Sequence, residues 1–298
     1  MTTTMLWRAA VAAMTIGAAA SPASAGESGG STAPIGLVTY ATGALPPPGT
    51  YILNQTSYVH SGRVNNASGD KVNIPFQLNT VVTATRLVHF TDYKILGANY
   101  GLQVILPLVR TSLSRNGLSS RKAGLGDMTV SPAILSWHAG KFHWFAATDF
   151  ILPTGSYDKT RLANTGRNYV DIAPLFTFTY LDPEGPEASV KFQYNINTKN
   201  HDTNYLTGQE INIDYGTHWN FGPLAVGIGG YYYQQVTDDR RNGIKVNYDG
   251  NRGEALSVGP QFKYTLPGVN LIGVWFHEVY AANRSQADRV ALRVSFKL

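Results

Sequence analysis

The chain closes on a stretch in which every second residue is apolar. Val290, Leu292, Val294, Phe296 and Leu298 alternate with Ala291, Arg293, Ser295 and Lys297, and Arg289 precedes them in phase. Successive side chains of an extended strand point to opposite faces, so a period of two puts apolar surface on one side and charge on the other. The pattern recurs upstream. "ALSVGPQFKYTL" (255–266) sets Leu256, Val258, Phe262 and Tyr264 against Ser257, Gln261 and Lys263. "INIDYGTHW" (211–219) and "ASVKFQYNI" (188–196) do the same, the second placing Lys191 opposite in phase to Val190 and Phe192.

Divided on this period, the chain gives about twelve strands, near 49–60, 76–91, 98–111, 126–137, 142–152, 168–181, 187–197, 208–220, 223–236, 253–266, 269–280 and 288–298. The first three and 269–280 alternate poorly. Short connections ("HAGK", "DPEGPE", "NFGP", "LPG") take turns with longer polar ones near 61–75, 112–125, 153–167, 198–207, 237–252 and 281–287. An even strand count with short turns at one end and long loops at the other describes an all-β protein, a transmembrane antiparallel β-barrel with periplasmic turns and extracellular loops. A soluble sandwich would also alternate but has no reason to alternate its loop lengths. Trp137, Trp144, Trp219 and Phe221 crowd the short turns, where amphipathic rings form an interfacial girdle.

Residues 1–25 read as a secretory signal peptide: Arg8, the apolar run "AAVAAMTIGAAA", then Ala23-Ser24-Ala25 as an A-x-A cleavage site before Gly26. The run is too short to cross a bilayer core of about 30 Å as a helix. Cleavage would leave about 273 residues (298 − 25) and lower the formal charge from +5 to +4. No basic cluster accompanies that excess, so no nucleic-acid partner is expected. An exported chain with no cysteine is not a disulfide-stapled domain. Residues 26–48, rich in Gly, Ser, Thr and Pro, read as a linker or as a plug folded into the lumen, and 49–298 as the barrel.

The middle of the chain carries a resemblance. "GANYGLQVILPL" (97–108), "GLGDMTVSPAILSW" (124–137), "DFILPTGSYD" (149–158), "NTGRNYVDIAPLFTFTYL" (164–181) and "YNINTKNHDTNYLTGQEINIDYGTHW" (194–219) follow in that order. Together they resemble the family of proteins named for the meta-pathway of phenol degradation, outer-membrane channels of Gram-negative bacteria. The resemblance implies a transmembrane barrel and the uptake of aromatic or other hydrophobic compounds, and it supplies no binding residues. Gly126-Asp127 and Pro153-Thr154-Gly155 also have a plain reading as turn and bulge residues at strand ends.

Strand phase then selects lumen-lining candidates: Lys191, Glu210, Asp214, Lys263, Arg289 and Arg293, with Asp127, Asp149 and Asp171 as further inward acids. On the strand near 269–280 the expected inward residues are Trp275 and His277, which with Tyr231 and Tyr233 would offer aromatic surface to a solute. No Gly-x-Ser-x-Gly elbow or His-Glu-x-x-His site occurs. No catalytic residues, metal or cofactor are expected. The partners expected are outer-membrane lipid, small-molecule solutes and, through the C-terminal strand, the barrel-assembly machinery. The leading expectation is a passive channel for aromatic or hydrophobic compounds. Alternatives are a narrow general or anion-preferring porin, and a structural or surface-interaction barrel with a filled interior.

Overall fold

The computed structural model describes residues 26–298, except Ser28 and Val38; the signal-peptide reading of 1–25 lies outside the described residues. Seventeen strands follow one another: β1 (Gly49–Ser61), β2 (Phe76–Ile95), β3 (Ala98–Arg115), β4 (Leu118–Leu125), β5 (Met128–Ala139), β6 (Phe142–Leu152), β7 (Asp171–Leu181), β8 (Pro186–Asn197), β9 (Lys199–Asn200), β10 (Tyr205–Leu206), β11 (Glu210–Phe221), β12 (Leu224–Gln235), β13 (Arg240–Arg241), β14 (Ile244–Lys245), β15 (Glu254–Leu266), β16 (Val269–Ala282) and β17 (Asp288–Lys297). β4 and β5 share one lane beside β3, and β9, β10, β13 and β14 form a small separate sheet. That shared lane and the eleven remaining strands close into an antiparallel barrel of twelve lanes, in which β2 pairs with both β1 and β3 while β1 also pairs with β17. Closure removes every free edge, the condition for a sheet in a bilayer.

The alternation follows from this closure. The outer face carries Ile228, Leu108, Leu106, Val290, Leu292 and Phe262, all exposed, which suits contact with lipid. The inner face carries one register row of Lys191, Asp214, Tyr231 and Ser257 across β8, β11, β12 and β15. Two inner rows further along, Asn195, Glu210 and Gln235 come together. Trp137 and Trp144 stack 6.4 Å apart beside the short turn at 140–141.

Three connections differ from expectation. The segment 112–125, expected as a loop, is strand: β3 runs on to Arg115 and turns through Asn116-Gly117, both at positive φ, into β4. Two successive positive-φ residues make the hairpin turn that matches strand twist, and the polar composition of β4 reflects solvent on both sides of a hairpin beyond the barrel. The loops at 198–207 and 237–252 fold onto each other through the small sheet.

The break between β4 and β5 gathers the motifs quoted above. Asp127 accepts the amides of Gly155 (2.9 Å) and Arg167 (2.8 Å), and Thr154 donates to the Gly126 carbonyl (3.1 Å). A Cβ on Gly155 would lie 2.6 Å from Gly166 Cα. Their role is to fasten two loops at the rim.

Candidate functional site

The described residues of 26–48 lie inside the barrel, on the wall formed by β7, β8, β11 and β12. The segment has no ladder of its own, so its amide groups need other acceptors. The wall supplies them: Thr32 N donates to Glu210 (2.9 Å), Gly36 N to Asp214 (2.7 Å), Ala41 N to Glu187 (2.8 Å), Thr42 N to Ser189 Oγ (3.1 Å) and Gly43 N to Thr179 Oγ1 (2.8 Å). Tyr40 OH reaches Asn220 (2.6 Å) and Thr39 Oγ1 reaches Gln261 (2.5 Å). The inward carboxylates thus hold backbone. Lys191 joins them through a 3.1 Å ion pair with Asp214, both side chains buried.

Two glycines make room for this path. Gly36 sits at φ +69, and a Cβ there would come 2.4 Å from Tyr231. A Cβ on Gly216 would come 2.3 Å from the Thr39 carbonyl. At the loop end Gly26 N donates to Asp239 (2.9 Å), which also receives Tyr205 OH, Gly208 N, Gln235 Nε2 and Asn251 Nδ2. Burial pushes the Asp239 carboxyl above its ordinary value, and these donated hydrogen bonds pull it back in part.

The lumen divides in two. Towards the long loops it is filled: Ile35, Tyr231, Tyr233 and Phe276 are almost wholly buried in one apolar cluster. Towards the short turns a cavity of about 540 Å³ remains, roofed by Tyr40–Thr42 and Leu45 of the segment and walled by Leu53, Val88, Phe90, Ile134 and Phe145. Leu266 and Gly268 mark its mouth. Its charged lining is Arg86, Lys191, Lys263, Arg293 and Lys297 against Asp149. Lys263 Nζ stands 5.0 Å over the Tyr40 ring.

Of the residues expected inward, Lys191, Glu210, Asp214, Lys263, Arg289 and Arg293 have inner-face register, and Arg289 lies 5.9 Å over the Tyr231 ring. Trp275 and His277, expected inward, face outward. Trp275 is 53% exposed, and both pair with outward residues, Val290 and Val258. The buried inward residues of this stretch of β16 are Ile272, Val274, Phe276 and Glu278. Both faces of this strand are apolar, one against lipid and one against Ile35 and Tyr231, so residue type does not separate them. A bulge at Val279, opposite Leu256/Ser257, breaks the phase further. Strand phase alone passes over Arg86, although one arginine inside an apolar strand that faces lipid must point inward.

A twelve-strand barrel of the outer-membrane type with its N-terminal segment drawn through the lumen is the class this geometry defines. The family model described as "Putative MetA-pathway of phenol degradation" matches residues 61–294, and the chain belongs to that family. Among solved structures it is similar to the COG4313 outer membrane channel from Pseudomonas putida F1, at 17% identity and a TM-score of 0.76, over 89% of this chain and 100% of that one. Weaker likenesses are the β domain of the Bordetella autotransporter BrkA (11% identity, TM-score 0.48, 84% and 99% covered) and the translocator domain of the autotransporter NalP from Neisseria meningitidis (10%, 0.47, 85% and 90%). At these identities the likeness concerns the fold. No curated protein matches by sequence.

Proposed function

We propose that the protein is an outer-membrane channel for the passive uptake of small aromatic or other hydrophobic compounds, with residues 26–48 acting as a plug. The observation that carries this reading is the cavity under the segment, apolar on most walls and open at the short-turn end. Family membership and the likeness to an outer-membrane channel support it. Lipid would surround the outer face, and the outward residues Val290 and Leu292 of β17 suit delivery by the barrel-assembly machinery. In cells carrying the protein, initial uptake of radiolabelled toluene should run several-fold faster than in the same strain without it. Equal initial rates would remove the hydrophobic-uptake reading.

Export through a cleaved leader also gains a structural reason. Among the described residues Asp239 makes no ion pair within 4.0 Å, yet its carboxylate is buried. Cleavage after Ala25 would turn Gly26 N into an ammonium and give that buried carboxylate its cation. Mass spectrometry of the protein from outer membranes should find Gly26 as the first residue; a start several residues away would rule the pairing out.

A further inference from the structure

Arg86 and Arg293 flank β1 on its inner side. Arg293 pairs with Gln55, and Arg86 pairs with Leu53, two residues earlier on the same face. Two strand spacings of about 4.8 Å separate their backbones, a gap that two long side chains close from either side. Both line the cavity. Arg293 is only 9% exposed, and its Nε is buried without a hydrogen-bond partner.

Neither arginine has a carboxylate within 4.0 Å among the described residues. Asp149, the one acid lining the cavity, acts on Arg86 from beyond 4.0 Å and receives Ser131 Oγ and Gln103 Nε2. The acids of the opposite wall hold the segment's amides, and Lys191 is committed to Asp214. Lys263, at the roof, and Lys297, near the mouth, add to the same sign. Two guanidinium groups of like charge, one of them buried with an empty donor, are costly unless an anion joins them. A guanidinium fork suits the paired oxygens of a carboxylate. Beside the arginines lie Leu53, Val88 and Phe90, which suit a hydrocarbon or aromatic body.

We propose that the cavity is a binding site for an amphipathic monoanion, a carboxylate on an aromatic or short aliphatic body, with Arg86 and Arg293 holding the oxygens. The site gives the channel reading, on which it rests, a preference among hydrophobic compounds for hydrophobic acids over neutral ones. Segment and cargo then divide the lumen by charge, the acids gripping backbone and the arginines gripping solute.

The test is calorimetric titration of the refolded full chain in a neutral detergent with 4-phenylbutyrate, 4-phenylbutanol and inorganic phosphate. The acid should bind at least roughly tenfold more tightly than the alcohol, and phosphate should compete weakly, because only the acid meets both the arginines and the apolar wall. Arg86→Gln and Arg293→Gln, each checked for heat-modifiable migration, should bring the acid to the level of the alcohol and leave the alcohol unchanged. Equal binding of acid and alcohol by the wild-type chain would overturn the proposal and leave the channel reading standing. Binding of neither would sink both. Phosphate competing as well as the acid would reduce the pair to a plain anion site and overturn the amphipathic part. The wild-type comparison decides the matter even where a variant does not fold.

Discussion

Removing residues 27–46 should raise single-channel conductance in a planar bilayer by roughly fivefold or more, since a twelve-strand bore, intermediate between side-chain-filled eight-strand barrels and open porins, is then left to water. The segment occupies the wall of β7, β8, β11 and β12 through the amides of Thr32, Gly36, Ala41, Thr42 and Gly43. Its loss takes none of the barrel's ladder hydrogen bonds, so the shortened chain should still migrate as a folded barrel. A second change should accompany the first. Glu187, Glu210 and Asp214 lose their amide donors and face the new water path, so the reversal potential in a salt gradient should move towards cation selectivity. A milder variant tests the same contact. Gly216→Leu places a side chain where a Cβ already comes 2.3 Å from the Thr39 carbonyl, and it should dislodge the segment and give brief openings. Unchanged conductance in both variants would mean that the segment does not close the path.

How far the molecule could be read from its sequence depended on what each face touches. In β7, β8, β11 and β15 the outer face meets lipid and the inner face is lined mainly by carboxylates, amides and lysines, so the period of two is clean, and Lys191, Glu210, Asp214 and Lys263 fall in inner phase by counting. β16 defeats that count because its inner face packs Phe276 against Tyr231, with rings 6.5 Å apart. Two apolar environments leave only Asn270 and Glu278, near its two ends, to mark the inside, and Val279 bulges beside Glu278. β2 hides Arg86 for a related reason: Val82, Ala84 and Val88 share the inner phase with it, so its two faces look alike.

The course of residues 26–48 was the least legible part. A chain held by its backbone amides needs no side-chain pattern, so Gly, Ser and Pro suit a held strand and a loose tail equally. The complementary signal sat elsewhere, in inward acids too numerous for the inward lysines on the same strands. The acids are occupied and the arginines remain open to the cavity.

Glu278→Ala should be among the most destabilising single substitutions in the barrel, by about 3–5 kcal/mol, the usual cost of leaving one partner of a buried ion pair behind. Glu278 has no exposed surface and ties three elements together. Its Oε1 accepts Tyr231 OH from β12 (2.7 Å) and Arg284 Nη2 (3.2 Å), and its Oε2 accepts the Ala287 amide (2.7 Å). Arg284 lies 4.7 Å over the Tyr233 ring in the filled half of the lumen, and its side chain is only 8% exposed. Alanine strands that guanidinium where the apolar cluster of Ile35, Tyr231 and Phe276 excludes water. Unfolding by guanidinium chloride in detergent micelles, followed by tryptophan fluorescence, measures the effect. Glu278→Gln keeps an acceptor for Tyr231 but removes the charge, and it should fall between alanine and wild type. Replacing both partners, as Glu278→Leu with Arg284→Met, should recover most of the loss, because an apolar pair asks nothing of the interior. A Glu278→Ala chain within about 0.5 kcal/mol of wild type, the ordinary range for surface changes, would show that water reaches Arg284. The half of the lumen towards the long loops would then be open rather than filled, and closure of the channel would rest on residues 26–48 alone.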